Sequence, residues 1–389
     1  MDKVRVGIIG FGNMGSGHFG NIKSGRCPEI EVTAVADVKP ARLEAAREAS
    51  GGSVALFDDA LKMLDSGLVD AAIVAVPHYD HPRYAMECFR RGIHVMVEKP
   101  AGVYTKQVRE MNEAAAKSGV VFGMMFNQRT NCVYRKMREL VQSGKYGQIR
   151  RTNWLITNWF RSQAYYDSGN WRATWSGEGG GVLMNQCPHQ LDLWQWICGM
   201  PARVSAHLSF GKWHDIEVED DVTAYVEYPN GATGVFITTT GDGYGTNRFE
   251  VQMDGAKLVV EDDKLRVWEF AQPVPEFLKT CQTPFGSIEA TEIQVETDGE
   301  NPQHSGVLNA FAGAILRGEP LVAGGEEGIR GLTLSNAMHL SQWTGRTVEL
   351  PLDEDEYFAQ LQKHVAASRR KTNVREAFAD TKGTYGGVK

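Results

Sequence analysis

The stretch VRVGIIGFGNMG, residues 4–15, decides the fold of the first part of this chain. It joins an apolar, β-branched run to three glycines spaced as Gly10, Gly12 and Gly15. A second apolar run, VTAVAD, ends at Asp37, 22 residues after Gly15. A glycine-rich turn between a strand and a helix, followed after about 20 residues by an acidic residue, is the fingerprint of a dinucleotide-binding βαβ unit. The sequence therefore predicts a dinucleotide site here, the alternative being a simple strand-to-helix turn.

Each part of this fingerprint has a physical role. Gly10 permits the tight turn, Gly12 lets a diphosphate approach the backbone, and Gly15 lets the helix pack closely on the strand. The helix N-terminus offers free N–H groups to the diphosphate. Asp37 can accept hydrogen bonds from both ribose hydroxyls and would repel a 2′-phosphate, which favours NAD over NADP. The predicted cofactor contacts in this segment are Gly10, Phe11, Gly12, Asn13, Met14, Gly15 and Asp37.

Composition narrows the class of protein. A chain of 389 residues, 42% hydrophobic and 23% charged, predicts a globular protein of two domains. The net charge of −7 and the lack of a basic run argue against nucleic acid as a partner. No apolar stretch is long enough to cross a membrane and no signal-peptide pattern opens the sequence, so we expect a cytoplasmic protein with no membrane partner. The six cysteines lack metal-ligand spacing and are interpreted as reduced and packed, so no metal site is predicted.

Strand-like and helix-like segments alternate in the first third of the chain. Near-continuous apolar strands between amphipathic helices indicate a doubly wound parallel sheet covered on both faces. From about 150 to 270, alternating runs with PNG and DGA turns indicate a large, mostly antiparallel sheet. The predicted fold class is α/β, with a Rossmann domain over 1–127 and an α+β domain over 128–389. Helices are predicted at 181–198, 305–317 and 325–344. The polar, glycine-rich tail from about 370 is interpreted as an arm that is loose or bound to a partner.

The fourth predicted strand ends in Glu98-Lys99-Pro100. In an open α/β sheet, ligands bind at the carboxyl ends of the strands, which directs Lys99 toward the nicotinamide. Pro100 stops the strand and disfavours a helical continuation. A lysine at this position can bind the substrate oxygen that becomes a carbonyl and can help to move its proton. The alternative is a surface lysine that pairs with Glu98.

The third predicted strand ends in VPHYDH, residues 76–81. Its turn would face the cofactor as well, because it lies at the same edge of the sheet. We expect His81 to orient loops rather than to react. The candidate cofactor contacts in this segment are Val76, Pro77, His78 and His81.

A second candidate region is GEGGGVLMNQCPHQLDLWQWICG, residues 177–199. Asn185 and His189 are four residues apart and would share one face of a helix, although Pro188 would kink or restart that helix. His189 titrates near neutral pH, which suits a general base for the oxidation of a secondary alcohol. The alternative is a packed histidine satisfied by Asp192.

Residues 161–175, RSQAYYDSGNWRATW, are too rich in aromatic and polar groups for a plain core segment. Aromatic faces beside polar groups suit carbohydrate rings, whose C–H faces stack while their hydroxyls form hydrogen bonds. The alternative is a solvated loop with a few anchors. The candidate substrate contacts in this segment are Tyr165, Tyr166, Asn170, Trp171, Arg172 and Trp175.

These motifs together carry a resemblance. The glycine fingerprint, Asp37, the VPxxxH-like segment 76–81, EKP at 98–100 and GGGxxxNxxxH at 179–189 follow one another in this order. Over roughly 3–350 the chain resembles the Gfo/Idh/MocA oxidoreductases, the glucose–fructose oxidoreductase and inositol dehydrogenase family. The resemblance implies a Rossmann domain that binds NAD(P) and a C-terminal domain that binds the substrate. It also implies a homodimer or homotetramer formed through the open face of the C-terminal sheet, and substrates that are sugars, sugar acids or cyclitols.

The resemblance also implies roles for individual residues. Lys99 would polarise or deprotonate the reacting hydroxyl, and His189 would act as acid and base, with Asn185 beside them. All three are therefore expected both in catalysis and in substrate binding. The residues implied to lie near the cofactor, in the crevice, are Glu98, Asn127 and Arg172.

Two positions depart from the family pattern. Asn185 stands where inositol dehydrogenases usually carry aspartate, which weakens an assignment as an inositol dehydrogenase. An aspartate beside Lys99 would favour the charged ammonium more than an asparagine does, so we expect proton removal to rest more on His189. The second departure is His78, where many members carry asparagine.

The sequence thus predicts an NAD-dependent dehydrogenase that transfers hydride between a ring secondary alcohol and nicotinamide. The expected substrate is a sugar, glycoside or cyclitol, with oxidation at C3 of a glucoside as the favoured variant. One alternative is an inositol 2-dehydrogenase, and another is a glycoside hydrolase that uses NAD for a transient oxidation. A non-catalytic NAD sensor is a third alternative, against which the retention of Lys99 and His189 argues.

Overall fold

A six-stranded parallel sheet forms the first part of the molecule in the computed structural model, which describes residues 2–369, 371, 374 and 375. Except for Lys371, Val374 and Arg375, the predicted arm from about 370 lies outside the described residues. The strands are β1 (Val4–Ile9), β2 (Ile30–Ala36), β3 (Ala55–Phe57), β4 (Ala71–Val74), β5 (His94–Val97) and β6 (Phe122–Met124). Their order in the sheet is β3-β2-β1-β4-β5-β6, the order of a dinucleotide-binding Rossmann fold.

Helices cover this sheet, as its apolar strands require. All four residues of β4 are buried, and so are five of the six residues of β1. A strand buried on both faces needs a layer on each side, which connecting helices supply. These are α1 (Asn13–Lys23), α2 (Pro40–Ser50), α3 (Ala60–Leu64), α4 (His81–Arg90) and α5 (Thr105–Ser118). Pro40 starts α2 at a position where its missing N–H costs nothing, and Gly51 ends it with a φ of +66°.

A nine-stranded sheet dominates the second part. Its strands are β7 (Ile149–Ile156), β8 (Arg203–Phe210), β9 (Glu219–Glu227), β10 (Thr233–Thr239), β11 (Asn247–Met253), β12 (Ala256–Glu261), β13 (Lys264–Phe270), β14 (Ala290–Ile293) and β15 (Val348–Glu349). Their order is β14-β13-β12-β11-β7-β10-β9-β8-β15, and only the β7–β10 pair among them is parallel. The PNG turn joins β9 to β10 and the DG turn joins β11 to β12. The predicted fold class is therefore confirmed.

The second part also contains helices, some of which pack on its sheet. Those of the second part are α6 (Cys132–Gln142), α7 (Gln163–Asp167), α8 (Pro188–Cys198), α9 (Val274–Thr280), α10 (Gln303–Arg317), α11 (Gly328–Thr344) and α12 (Glu354–Ala367). The helix predicted at 181–198 begins only at Pro188, because proline fits the first helical position and residues 181–187 form turns. Trp194 of α8 stacks on Phe236 of the sheet, with ring centroids 5.3 Å apart.

One helix of the second part packs on the first sheet. Leu308 and Phe311 of α10 join a buried cluster with Val6 of β1, Ile73 of β4 and Met96 of β5. Helix α10 therefore completes the cover of a face that residues 1–127 leave open.

No helix in the described residues is long and apolar enough to cross a membrane. Within the same residues, no group of three or more His, Cys, Asp or Glu side chains is arranged to hold a metal ion.

Candidate active site

A cavity of about 590 Å³ opens at the carboxyl ends of the first sheet's strands. One side of it is formed by the turns after β1, β2, β4 and β5, and the other by the loop around α7 and the turn before α8. The predicted residues that line it on the first side are Gly10, Gly12, Asn13, Met14, Asp37, Val76, Pro77, His78, His81, Glu98 and Lys99. Those on the second side are Tyr165, Asn170, Trp171, Arg172 and Asn185.

The glycine turn is shaped for a diphosphate. Gly10 has a φ of +92°, and a Cβ there would lie 2.5 Å from the carbonyl oxygen of Ala75. A Cβ on Gly15 would lie 1.9 Å from the carbonyl oxygen of Gly10, so only glycine lets α1 approach β1 this closely. A Cβ on Gly12 would meet nothing within 4 Å, and Gly12 caps α1 without a side-chain hydrogen bond. The uncapped N–H groups of α1 therefore suit an anionic group in the cavity.

Asp37 is held in place by backbone donors. Its Oδ2 accepts from the N–H of Phe11 at 2.8 Å, and its Oδ1 accepts from the N–H of Lys39 at 2.9 Å. Asp37 lines the cavity, and its carboxylate has further lone pairs to which two ribose hydroxyls can donate. The glycine turn and Asp37 therefore offer the donors and acceptors that a bound NAD would need.

Three predicted cofactor contacts do not line the cavity. The N–H of Phe11 is used by Asp37, and its ring packs edge-on against Phe19, 5.7 Å away. Gly15 serves the packing of the helix on the strand. Asn127 is fully buried, and its Nδ2 donates to Oε1 of Gln303.

His81 joins the ends of two strands. Its Nδ1 lies 2.7 Å from the carbonyl oxygen of Pro100, and its Nε2 lies 2.7 Å from that of Val76. His78 lies 3.2 Å through Nδ1 from the carbonyl oxygen of Glu178, across the cavity. Burial lowers the pKa of both histidines, and at His81 the two carbonyl oxygens oppose this shift because they favour the protonated ring.

Glu98 has a partner that sequence reasoning missed. His18 of α1 places Nε2 at 2.6 Å from Oε1 of Glu98, and both side chains are buried. Burial alone raises the pKa of Glu98, but the hydrogen bond and charge of His18, with smaller contributions from His304 and Lys99, outweigh it. The pKa of Glu98 is lowered to about 2. A buried carboxylate thus stays ionised beside Lys99.

Lys99 lies at the centre of the cavity wall. Its Nζ donates to the carbonyl oxygen of Asn185 at 2.9 Å, and its backbone N–H donates to Oε2 of Glu98 at 3.1 Å. Only 7% of Lys99 is exposed, so the alternative of a surface lysine is wrong.

Asn185 is bonded to a carboxylate that was not predicted. Its Nδ2 donates to Oε1 of Glu178, whose Oε2 accepts from the N–H of Ala173. Glu178 is buried, and burial raises its pKa against the opposing charge of Arg172. The only signal in the sequence was an acidic residue inside a glycine-rich run.

His189 is buried and is not among the residues that line the cavity. Helix α8 starts at Pro188, so Asn185 precedes the helix and the two residues do not share a helical face. The ring of His189 is buried, 6.3 Å from that of Phe126. Burial, and then the charge of Lys99, lower the pKa of His189 well below its usual value, so the imidazole is neutral.

His189 is packed, as the alternative expected, but Asp192 is bonded to other residues. Asp192 forms an ion pair with Arg129, with Oδ1 and Nη2 2.6 Å apart, and it also accepts from Gln195. Its carboxylate therefore belongs to a different buried cluster.

The loop around α7 brings aromatic rings and cations into the cavity. Arg172 lies over the rings of Tyr165 and Trp171, 4.7 and 4.6 Å from their centroids. Its Nη1 donates to the hydroxyl of Tyr165 at 2.9 Å. The ring of Trp171 lies 5.5 Å from that of His78, so the two sides of the cavity meet here.

Two aromatic residues of this segment belong to the core instead. Trp175 is buried and packs against Phe210 and Trp343, so the expectation that it binds substrate is corrected. Tyr166 is also buried, and its hydroxyl lies 2.8 Å from that of Thr240. Alternation of aromatic and polar residues did not reveal which rings turn inward.

Residues after α12 fasten this loop from outside. Lys371 donates through Nζ to the carbonyl oxygen of Tyr166 at 2.7 Å, and the N–H of Arg375 donates to that of Asp167 at 3.0 Å. The position of the aromatic loop therefore depends on the far end of the chain.

A Rossmann sheet whose glycine turn and acidic residue line one cavity with a buried lysine defines an NAD-binding oxidoreductase. Comparison with known families gives the same class. The NAD-binding Rossmann-fold oxidoreductase family matches residues 4–126, and the Gfo/Idh/MocA C-terminal domain matches residues 134–259. The chain belongs to the Gfo/Idh/MocA oxidoreductases.

Characterised relatives lie in the same family. The chain is 30% identical to D-glucoside 3-dehydrogenase of Escherichia coli over 367 residues, which cover 89% of this chain and 97% of the relative. It is 25% identical to myo-inositol 2-dehydrogenase of Thermotoga maritima, with 89% and 98% of the two chains covered. The crystal structure of the WlbA dehydrogenase of Chromobacterium violaceum, in complex with NADH and UDP-GlcNAcA, superimposes with a TM-score of 0.78 at 29% identity, covering 91% and 97%. These relatives are dehydrogenases and lend no support to the hydrolase alternative.

Proposed function

We propose that this protein is an NAD-dependent dehydrogenase that oxidises a ring secondary alcohol of a sugar, glycoside or cyclitol, with C3 of a glucoside as the favoured position. One observation carries the proposal: Gly12 and Asp37, Lys99, and the aromatic loop all line a single cavity. A dinucleotide and a ring can therefore meet at Lys99. The likeness to D-glucoside 3-dehydrogenase supports a glucoside over a cyclitol.

The cofactor half is built from the first sheet. The N-terminus of α1 would hold the diphosphate, and Asp37 would accept from the ribose hydroxyls. Val76, Pro77 and His78, which line the same cavity, would hold the nicotinamide riboside. When bound, NAD accepts the hydride that the carbinol carbon releases.

Proton transfer is assigned to Lys99 and His189. The carbonyl oxygen of Asn185 fixes the Lys99 amine, which points into the cavity and binds the reacting hydroxyl. The charge of Lys99 acts on His189, whose lowered pKa leaves the imidazole neutral, the form of a histidine that accepts a proton. Glu98, ionised beneath them, favours the cationic state that forms when the alcohol loses its proton.

The first test is NADH formation at 340 nm with NAD or NADP and a panel of inositols, free sugars, N-acetyl sugars and aryl glucosides. We expect NADH with one subset and NAD as the better cofactor. Lys99→Met lowers kcat by about a hundredfold or more, the typical contribution of acid–base catalysis, while NADH affinity is unchanged. Lys106→Met, on the exposed face of α5, serves as the control. A Lys99→Met enzyme with normal kcat would contradict the assignment.

The role of His189 has its own test. The pH dependence of kcat/KM reports the acid and base of the free enzyme, and His189→Ala removes the buried imidazole. We expect this variant to lose the main inflection of the profile. If the inflection persists, the base is another group.

We also propose that the protein forms a homodimer or homotetramer through the outer face of the nine-stranded sheet. Half-buried apolar side chains share this face at the centre of the sheet, where Leu155 of β7 pairs with Ile237 of β10. Tyr225 of β9 is 40% exposed beside them. Light scattering on the wild type should give a dimer or tetramer, and Ile237→Lys should give a monomer. A monomeric wild type overturns this proposal.

A further inference from the structure

We propose that Glu217, Ser368 and Lys371 are positioning residues for the sugar, because they fix the aromatic loop of residues 163–176 from outside the cavity. None of the three is among the residues that line the cavity, whereas Tyr165 and Trp171 of the loop are. The inference deepens the proposed function and rests on it, since the loop forms one side of the cavity in which the sugar is placed.

The aromatic loop has little regular structure of its own. Helix α7 spans only the five residues Gln163–Asp167, and residues 168–176 form turns and irregular structure. Within these turns Ala173 has a φ of +52°, a left-handed conformation that costs free energy in a residue with a Cβ. Such a segment keeps one conformation only where other parts of the molecule hold it.

The carboxylate of Glu217 joins the end of the loop to the residues after α12. Glu217 is half-buried between β8 and β9. Its Oε1 accepts from the N–H of Trp175 at 2.7 Å and from the hydroxyl of Ser368, and its Oε2 accepts from the N–H of Arg369 at 2.9 Å. The hydroxyl of Ser368 also lies 2.9 Å from that of Ser176. Hydrogen bonds to an ionised carboxylate are stronger than those between neutral groups, so this junction is a firm one.

Lys371 forms a second anchor at the start of the loop. Its Nζ donates to the carbonyl oxygen of Tyr166 at 2.7 Å, and the N–H of Arg375 donates to the carbonyl oxygen of Asp167 at 3.0 Å. The last carbonyl groups of a helix lack partners within it, and a lysine is well suited to satisfy them. The residues after α12 therefore complete the end of α7.

The two anchors lie on either side of residues that line the cavity. Lys371 holds the loop at Tyr166 and Glu217 holds it at Trp175, with Trp171 of the cavity wall between them. Without the anchors the loop samples more conformations, and a sugar has to order it on binding. The free energy spent on that ordering is lost from the affinity.

Lys99 is held by residues outside the loop. Its Nζ donates to the carbonyl oxygen of Asn185, and its backbone N–H donates to Glu98. Loss of an anchor should therefore weaken sugar binding and raise KM while kcat is retained. This split distinguishes a positioning role from general damage to the fold, which would lower kcat and the affinity for NADH as well.

Point variants of the full chain test the inference. Binding of methyl β-D-glucopyranoside to the NADH-bound enzyme is followed by NADH fluorescence, and its oxidation by NAD is followed at 340 nm. We expect Lys371→Met and Glu217→Gln each to raise the Kd and the KM for the glucoside by about tenfold, the effect of losing one hydrogen bond to a charged group. The changes in kcat and in the Kd for NADH should stay below about twofold, since neither depends on the loop.

Two further variants serve as controls. Lys371→Arg keeps a cationic donor and should restore a KM near that of the wild type. Lys363→Met removes an exposed lysine of α12 that lies outside the junction and should change nothing. If Lys371→Met or Glu217→Gln fails to fold, Ser368→Ala, which removes one hydroxyl, decides by the same measurements.

Hydrogen exchange followed by mass spectrometry reads the loop without a substrate. We expect peptides that cover residues 163–176 to exchange faster in Lys371→Met than in the wild type, while peptides of the first sheet exchange at the same rate. Unchanged exchange of residues 163–176 overturns the inference.

The kinetic outcomes separate the inference from the proposed function. An active wild type whose anchor variants keep a normal KM, or lose kcat at constant KM, overturns the inference and leaves the function standing. The inference is also overturned if Lys363→Met raises KM as much as Lys371→Met does. A wild type that neither binds nor oxidises the glucoside contradicts the favoured substrate, and the exchange of residues 163–176 then decides the inference.

Discussion

Nε2 of His18 and Oε1 of Glu98 lie 2.6 Å apart, and both side chains are buried. The pair joins α1, whose first residues Asn13 and Met14 line the cavity, to the residue that precedes Lys99. Helix α1 and the turn after β5 are thus connected by a buried hydrogen bond.

Removal of this pair should destabilise the fold. His18→Leu leaves a buried carboxylate with one partner fewer, and breaking a buried pair costs roughly 3–5 kcal/mol. Urea unfolding at pH 7 measures the loss of stability. The control is His207→Leu, at an exposed position of β8. An unfolding free energy equal to that of the wild type would contradict a structural role for the pair.

The same pair gives the stability a dependence on pH. The pKa of Glu98 is lowered from 4.5 to about 2, so its contribution is present above pH 4.5 and is lost as the pH falls toward 2. We expect the wild type to lose stability across this window more steeply than His18→Leu. Urea midpoints measured at several pH values down to pH 3 test this, and parallel curves for the two proteins would count against it.

Two glycines of α1 form a matched pair for the close approach of this helix. A Cβ on Gly15 would collide with the carbonyl oxygen of Gly10, so Gly15→Ala should cost roughly 1–3 kcal/mol and weaken NADH binding. A Cβ on exposed Gly17 meets nothing within 4 Å, so Gly17→Ala should stabilise the protein by about 0.4–1 kcal/mol. Thermal unfolding and NADH titration of both variants decide the matter, and similar behaviour of the two would refute the packing argument.

Asp37 should govern the choice of cofactor. Asp37→Asn removes the charge that repels a 2′-phosphate but keeps an oxygen that can accept from Phe11 or Lys39. We expect its ratio of kcat/KM for NAD over NADP to fall by about tenfold or more, with stability near that of the wild type. Asp37→Ala should lose stability as well, because two N–H groups lose their acceptor. An unchanged cofactor ratio would show that other groups set the preference.

Glu178 explains why Asn185 is tolerated where inositol dehydrogenases usually carry aspartate. Asn185→Asp brings two carboxylates into contact, so the pKa of one is raised and stability falls as the pH rises above 5. When Glu178→Gln is added to Asn185→Asp, the new amide at 178 can donate to the new carboxylate at 185, so the hydrogen bond is restored with its direction reversed. Urea unfolding at pH 5 and pH 8 should give a coupling of about 1–3 kcal/mol in the double-mutant cycle, largest at pH 8. Additive effects would mean that the two side chains act independently.

Much of the fold and of the cavity can be predicted from local sequence patterns. The glycine spacing, the apolar strands and the placement of Lys99 at a strand end predict the first sheet and its crevice, because these features depend on residues close in sequence. The PNG and DG turns likewise predict hairpins of the second sheet.

Contacts between distant segments are not readable in this way. His18 meets Glu98 across 80 residues, and nothing around His18 reveals that partner. Trp175 and Trp171 look alike in sequence, yet Trp175 packs in the core and Trp171 lines the cavity. Between them, Ala173 has a left-handed backbone conformation that its residue type does not predict. The start of α8, which separates Asn185 from His189, is set by Pro188, because proline fits the first turn of a helix and not its interior.

The packing of α10 on the first sheet has a consequence for synthesis of the chain. The nucleotide-binding half is translated first, but Leu308 and Phe311, which cover Val6 and Ile73, leave the ribosome some 180 residues after β6. Until then an apolar face of that sheet has no permanent cover, and such a face is a target for chaperones and for aggregation. The core of the first sheet is thus completed only after α10 has been synthesised. A fragment that ends at residue 127 would leave this apolar face of the sheet exposed.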